Sequence, residues 1–164
     1  MDLGYLKVKI DIKSEHDEYK KKYGYKKKEL KKEEIKNLFD GFKEFFKNDG
    51  NFKFKENEHS VVAEYKDHGI KLEMDVYKNI ESDDFDLNGT IETYEKEVFG
   101  IVAQGICNQD LTLQPAFADE EERMVHETRH YKDFLDGEIT YTFQYKISGR
   151  EEAYASMLQL MLAL

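Results

Sequence analysis

From Asn51 to Ile106 the chain alternates apolar and polar residues with a period of two, and this alternation limits the fold more than any other feature. Side chains on a strand point to opposite faces in turn, so such a run builds a sheet with one buried face and one wet face. NFKFKEN, SVVAEYK, IKLEMDVYK, GTIETYEKE and FGIVAQGI read as successive strands of an antiparallel sheet. Turn clusters such as KDHG and DDFDLNG separate them, with Asn88-Gly89 a hairpin turn. Residues 5–12 predict one more strand, because Leu6, Val8, Ile10 and Ile12 alternate with polar neighbours.

The remaining segments carry the helical period. Ile35, Leu38, Phe39, Phe42, Phe45 and Phe46 recur at spacings of three and four, which predicts a helix over 31–48 whose phenylalanine stripe is core rather than groove. The lysine run KKKYGYKKKELKK at 20–32 reads as a solvated face. LTLQPAF is a short strand stopped by the only proline, Pro115. Asp119 followed by Glu122 has the form of a capping box, so a helix is predicted to begin near residue 120. EITYTFQYKI alternates again, as a strand or an extended loop, and SGREEAYASMLQLMLAL reads as a helix running to the last residue. The expected class is α+β, a single domain over 1–164, with 1–109 mainly sheet plus one helix and 110–164 a helical core.

Composition decides which functions this fold can carry. Hydrophobic residues make up 40% of 164, enough to form a core despite 37% charged residues. The net charge of −10 argues against phosphate-driven binding, so no nucleic-acid partner is expected. No apolar stretch approaches a membrane span, and none resembles a leader. Cys107 is the only cysteine, which excludes an internal disulfide and fits a reducing compartment. It is expected to pack in the sheet. The expected location is cytoplasmic, with secretion the alternative where a leader has been removed.

The chemistry concentrates at MVHETRHYKDF, residues 124–134. Residues i and i+4 of a helix differ by about 40° of rotation, so His126 and His130 point the same way one turn apart. Two neutral imidazoles at that spacing can reach one tetrahedral Zn²⁺. Glu127 then stands beside the open position, where a carboxylate can take a proton from metal-bound water. A third ligand has to come from another element, and Glu151 and Glu152 in REEAYAS are candidates. The strand LTLQP ahead of the helix offers an edge on which an extended peptide could pair its backbone. His16, His59 and His68 lack ligand spacing.

With these residues the sequence resembles the gluzincins, zinc peptidases whose third ligand is a glutamate on a following helix. Thermolysin-like members follow that glutamate with alanine, as Ala153 follows Glu152, so the resemblance implies Glu152 as ligand and leaves Glu151 as its rival. The likeness is closer to the lethal-factor-like and Pro-Pro endopeptidase branch. It has an aspartate three residues after the second histidine, as Asp133 is here, and a tyrosine seven residues before the ligand, as Tyr145 is here. The resemblance implies a minimal zincin core over 110–164, a Zn²⁺ cofactor and a protein or peptide substrate. It further implies Glu127 as general base, Tyr145 at the developing oxyanion, and Asp133 oriented towards a ligating imidazole. One departure is Ser156, where thermolysin-like enzymes carry an aspartate. The metzincin pattern would use Asp136 as last ligand, but it needs a glycine where this chain has Asp133, and Gly137 comes too late.

Two alternatives stand beside the peptidase. In one the scaffold keeps zinc without cleaving; in the other the motif is accidental and the chain is a partner-binding or inhibitory protein. DDFDLNGTIETYE places Asp84, Asp86, Asn88, Gly89, Ile91 and Glu95 at the spacing of a calcium loop, but a strand precedes it where an EF-hand needs a helix, so it reads as an acidic hairpin.

Overall fold

The computed structural model describes residues 1–111 and 116–164. The chain is α+β with an antiparallel sheet, as the alternation predicts, and its N-terminal helix is longer than the expected 31–48. It packs as two compact units, each discontinuous in sequence: Met1–Glu29 with Cys107–Thr142, and Leu30–Ile106 with Phe143–Leu164. Among the described residues no helix is long and apolar enough to cross a membrane.

Helix α1, Leu3–Lys47, supplies residues to both units and replaces the strand expected over 5–12. The reason is local. The charged stretch after Ile12 is rich in strong helix formers, and extending a helix already nucleated there is far cheaper than starting a strand. Asp2 closes the start, its Oδ1 accepting from the backbone of Gly4 (2.9 Å) and Tyr5 (3.3 Å). Val8 and Ile10 stay more than half exposed, so the period-two pattern defines no core face here.

In the first unit α1 runs alongside α3, Glu120–Asp136, in the same direction. Lys9 meets Glu121 at 3.2 Å, His16 meets Glu127, and the Tyr23 ring lies 5.1 Å from Phe134. Lys26 Nζ donates to the carbonyl of Phe134 at 2.6 Å and Lys31 is fully buried, so the lysine run is not wholly a solvated face. The reading of LTLQPAF as a strand falls largely on residues 112–115, outside the described ones.

The second unit holds most of a seven-stranded sheet whose order follows the chain: β1 Lys53–Glu56, β2 Ser60–Tyr65, β3 His68–Glu73, β4 Leu87–Glu92, β5 Val98–Cys107, β6 Tyr141–Ile147 and β7 Ala153–Tyr154. The alternation sets the faces. Val61, Ala63, Leu72, Leu87, Ile91, Ile101, Ala103 and Ile147 are buried, together with Leu38, Phe42 and Phe46 from α1 and Leu160 from the last helix. The phenylalanine stripe is therefore core, and burying each such side chain contributes about 1.5–3 kcal/mol.

Three local expectations need correction. IKLEMDVYK is not one strand, because β3 stops at Glu73 and α2, Val76–Glu81, follows, capped by Asp75 accepting from Lys78 N at 3.0 Å. Asn88 and Gly89 lie inside β4, paired with Val102 and Ile101, and make no turn. The C-terminal segment is not one helix either. Arg150 N donates to Ile147 O at 3.0 Å and turns the chain back, Ala153–Tyr154 pair with β6, and only Met157–Leu162 form α4. Glu152 consequently sits on no helix. The Asp84–Glu95 stretch contains strand β4 and is followed by strand β5, so it lacks the second helix of an EF-hand.

Candidate functional site

Helix α3 forms where its capping box predicts. Asp119 Oδ1 accepts from Glu122 N and Glu122 Oε2 accepts from Ala118 N, both at 2.8 Å. Gly137 ends the helix at φ 84°, a left-handed conformation that glycine adopts without a Cβ clash, and its N–H reaches the carbonyls of Asp133 and Phe134. His126, Glu127 and His130 thus lie in the interior of a 17-residue helix.

An open cleft of about 450 Å³ in the first unit is lined by Asp110, Leu111, Phe117, Arg123, His126, Glu127 and His130. His126 is exposed, with its ring 5.1 Å from Phe117, while His130 is half-buried, 5.8 Å from Tyr23. Burial lowers the His130 pKa, and nearby His126 lowers it further against the opposing pull of Asp133 and Glu127. The neutral imidazole is the form that can donate a lone pair to a cation.

Glu127 is engaged by its own helix and by α1. Arg123 Nη1 donates to Glu127 Oε1 (2.6 Å) and Oε2 (2.5 Å), and the same guanidinium holds Glu120 through Nε (2.9 Å) and Nη2. His16, almost fully buried, donates through Nε2 to Glu127 Oε1 at 3.1 Å. Burial alone would raise the Glu127 carboxyl, but the His16 and Arg123 hydrogen bonds outweigh it and hold its pKa below the ordinary carboxylate value. Around these groups Tyr131 stacks between His16 (5.7 Å) and Tyr23 (4.7 Å). Burial, then the neighbouring Tyr131, pushes the Tyr23 hydroxyl up to about 12.

The other residues singled out from sequence lie elsewhere. Tyr145, Glu151 and Glu152 belong to the second unit, whereas every residue lining the cleft belongs to the first. Tyr145 is buried on the core face of β6, where its hydroxyl donates to Glu34 Oε1. Glu151 and Glu152 are exposed between β6 and β7, and Asp136 is exposed at the end of α3. Asp133 uses its carbonyl to cap that end, accepting from Glu138 (2.9 Å) and Ile139 (3.1 Å). Among the described residues, no three His, Cys, Asp or Glu side chains gather into a group able to hold a metal ion. The imidazole pair fits the nitrogen side of a zinc site, and Glu127, tied to Arg123 and His16, does not fit a base waiting for a proton.

Sequence reasoning missed Arg123 and His16. The spacing Glu120, Arg123, Glu127 is the i+3, i+4 pattern of helix ion pairs and was readable. His16 lies 111 residues from Glu127, and nothing local marks it. Comparison with protein-family models, with curated proteins and with solved structures finds no match to this chain.

Proposed function

We propose that the α3 cleft binds a zinc-class divalent cation through His126 and His130, and that the chain acts as a metal-binding protein. The observation that carries this reading is that two imidazoles one helical turn apart line one open cleft. The environment of His130, which favours its neutral form, supports it.

Peptide hydrolysis is a second reading of the same cleft, favoured by the glutamate next to the first histidine. A zinc ion held there would supply an acidified water, and Glu127 would accept its proton. That task suits a base with a pKa near the working pH. Glu127 is depressed and has both oxygens on Arg123, so hydrolysis requires Arg123 and His16 to let go first. Roles for Glu152 as third ligand and Tyr145 at the oxyanion depend on side chains that are outside the cleft lining and, for Tyr145, bound to Glu34.

Zinc titration by calorimetry, with metal analysis of untagged protein, tests the metal reading. Changes outside the ligand shell cost about 10–100-fold in affinity, so His126→Ala and His130→Ala should each weaken binding at least that much. A wild-type chain that takes up no zinc overturns the proposal. Peptidase activity lost in Glu127→Gln while zinc is retained would establish the hydrolytic reading.

A further inference from the structure

A backbone can rearrange at an Asp-Gly pair, because glycine has no side chain to shield its nitrogen from the carboxyl before it. This chain has three such pairs, Asp40-Gly41, Asp49-Gly50 and Asp136-Gly137, and one Asn-Gly pair, Asn88-Gly89. The side chain ahead of each glycine is exposed, so exposure does not separate them. The surroundings of the glycine nitrogen do.

Three of the four are held. Gly41 lies inside α1, with its N–H in the helical ladder and Met157 Cβ 2.8 Å from where its own Cβ would stand. Gly137 ends α3, and its N–H reaches the carbonyls of Asp133 and Phe134. Gly89 pairs with Ile101 inside β4, and a Cβ there would stand 2.8 Å from Glu73 O. Asn88 before it is locked by the Asn79 side chain, which accepts from Asn88 N (2.8 Å) and donates to Asn88 O (2.9 Å).

Gly50 is placed differently. It lies outside any helix or strand at φ 80°, and a Cβ added there would meet nothing within 4 Å. Among the described residues its N–H has no backbone acceptor. Asp49 Oδ1 accepts from Asn51 N (3.2 Å) and Asn51 Nδ2 (2.5 Å). The ring closed by the first of these bonds contains Gly50 N, so the carboxyl is bent forward over the nitrogen that follows it. Both donors also draw electron density from the carboxyl carbon. We infer that Asp49-Gly50 is a site of spontaneous covalent modification, where the folded chain converts aspartate to isoaspartate.

The reaction needs only water. Gly50 N bonds to Asp49 Cγ, the amide hydrogen and the hydroxyl of the carboxylic acid leave as water, and a succinimide remains. Water then adds to the Asp49 backbone carbonyl carbon, whose bond to Gly50 N breaks, and the chain continues through Cβ and Cγ. No atom is gained or lost overall, and nothing is oxidised. The product carries one extra backbone atom in the turn between Phe46 and Phe52, whose rings are 4.9 Å apart.

The experiment ages the full chain at neutral pH, folded and in urea, and follows all four pairs by peptide mapping with electron-transfer fragmentation, which distinguishes isoaspartate from aspartate. In the folded chain isoaspartate at 49 is expected to form at least about tenfold faster than at 40, 88 or 136. In urea the three Asp-Gly pairs should converge and Asn88 should lead, because an amide expels ammonia more readily than a carboxyl expels water. Asp49→Glu, one methylene longer, should abolish the signal from the Asn48–Lys53 peptide, with far-UV circular dichroism confirming the fold. A folded wild type in which 49 changes no faster than 136 would overturn the assignment. So would a signal from that peptide that persists in Asp49→Glu.

Discussion

Replacing Lys31 by methionine tests how the second unit closes the end of α2. Lys31 is fully buried, and its ammonium donates to the carbonyls of Asn79 and Ser82, 2.8 Å from each. Those two oxygens sit at the C-terminal end of Val76–Glu81, where the peptide dipoles leave negative charge and a cation is welcome. Two opposing quantities set the outcome. Hydrogen bonds to a charged group contribute about 1.5–3 kcal/mol each, and burying an ammonium costs several kcal/mol, which methionine avoids. The acceptors decide between them, because they are backbone atoms and cannot be mutated away. Asn79 O lies in a buried contact and is left without this donor, a loss of about 1–3 kcal/mol, whereas water can reach the half-buried contact at Ser82 O. Methionine fills the volume of the lysine stem, so no cavity adds to the total. The net expectation is a loss of roughly 2–4 kcal/mol. For a chain of this size that lowers the melting temperature by about 5–15 °C, read by circular dichroism and by the urea midpoint. A Lys31→Met protein that melts at or above the wild-type temperature would refute the reasoning, since desolvation would then outweigh the hydrogen bonds.

Gly41→Ala should cost about 1–3 kcal/mol in urea denaturation, because its new Cβ would stand 2.8 Å from the Met157 Cβ, where α1 and α4 touch through a backbone-proximal atom that cannot swing away; unchanged stability would show that α4 shifts freely. Glu34→Gln should alter the pH dependence of stability. Burial raises the Glu34 carboxyl, against the Asn37 hydrogen bond, so its contribution is fully present below the ordinary glutamate value of about 4.3 and is lost as pH rises through the raised folded value. The variant should therefore gain on wild type between pH 4 and neutrality and keep a constant lead above that, as read from urea midpoints; a difference independent of pH would disprove the assignment.

The sheet was legible because its signal is repeated. Period-two alternation over some fifty residues fixes which side of each strand is buried, and no single substitution can disguise it. The phenylalanine stripe at 35–46 was legible for the same reason, and so was α3, where Asp119 accepts from Glu122 N and Glu122 accepts from Ala118 N. Residues 5–12 were not. Four alternating apolar residues satisfy a strand template, but what decides their state is the helix-forming run that follows them. The end of the chain misled in the opposite direction, since SGREEAYASMLQLMLAL has helix-forming composition, yet a turn at 148–150 and two residues of pairing with β6 come first. Lys26 and Lys31 could not be told from their solvated neighbours, because their partners are backbone carbonyls far along the chain.

A motif spacing is a statement about one helix face, and it is silent about the face beside it. The rotation that aligns His126 with His130 aligns Arg123 with Glu127 equally well, because both pairs are four residues apart. Two constellations on α3 therefore compete for the same glutamate, one using it as a base beside a cation and the other as the acceptor of an ion pair. Helix geometry cannot choose between them. The buried His16 on α1 tips the balance, since its Nε2 adds a second donor to Glu127 Oε1 and strengthens the ion-pair arrangement. It follows that His16→Ala with Arg123→Ala, and neither the histidine pair nor the glutamate itself, is the change that should convert a holding site into one whose glutamate can work. Peptide cleavage that appears only in that double variant, at unchanged zinc affinity, would identify α1 as the element that sets what this helix does; a double variant that binds zinc and still cleaves nothing would end the hydrolytic reading altogether.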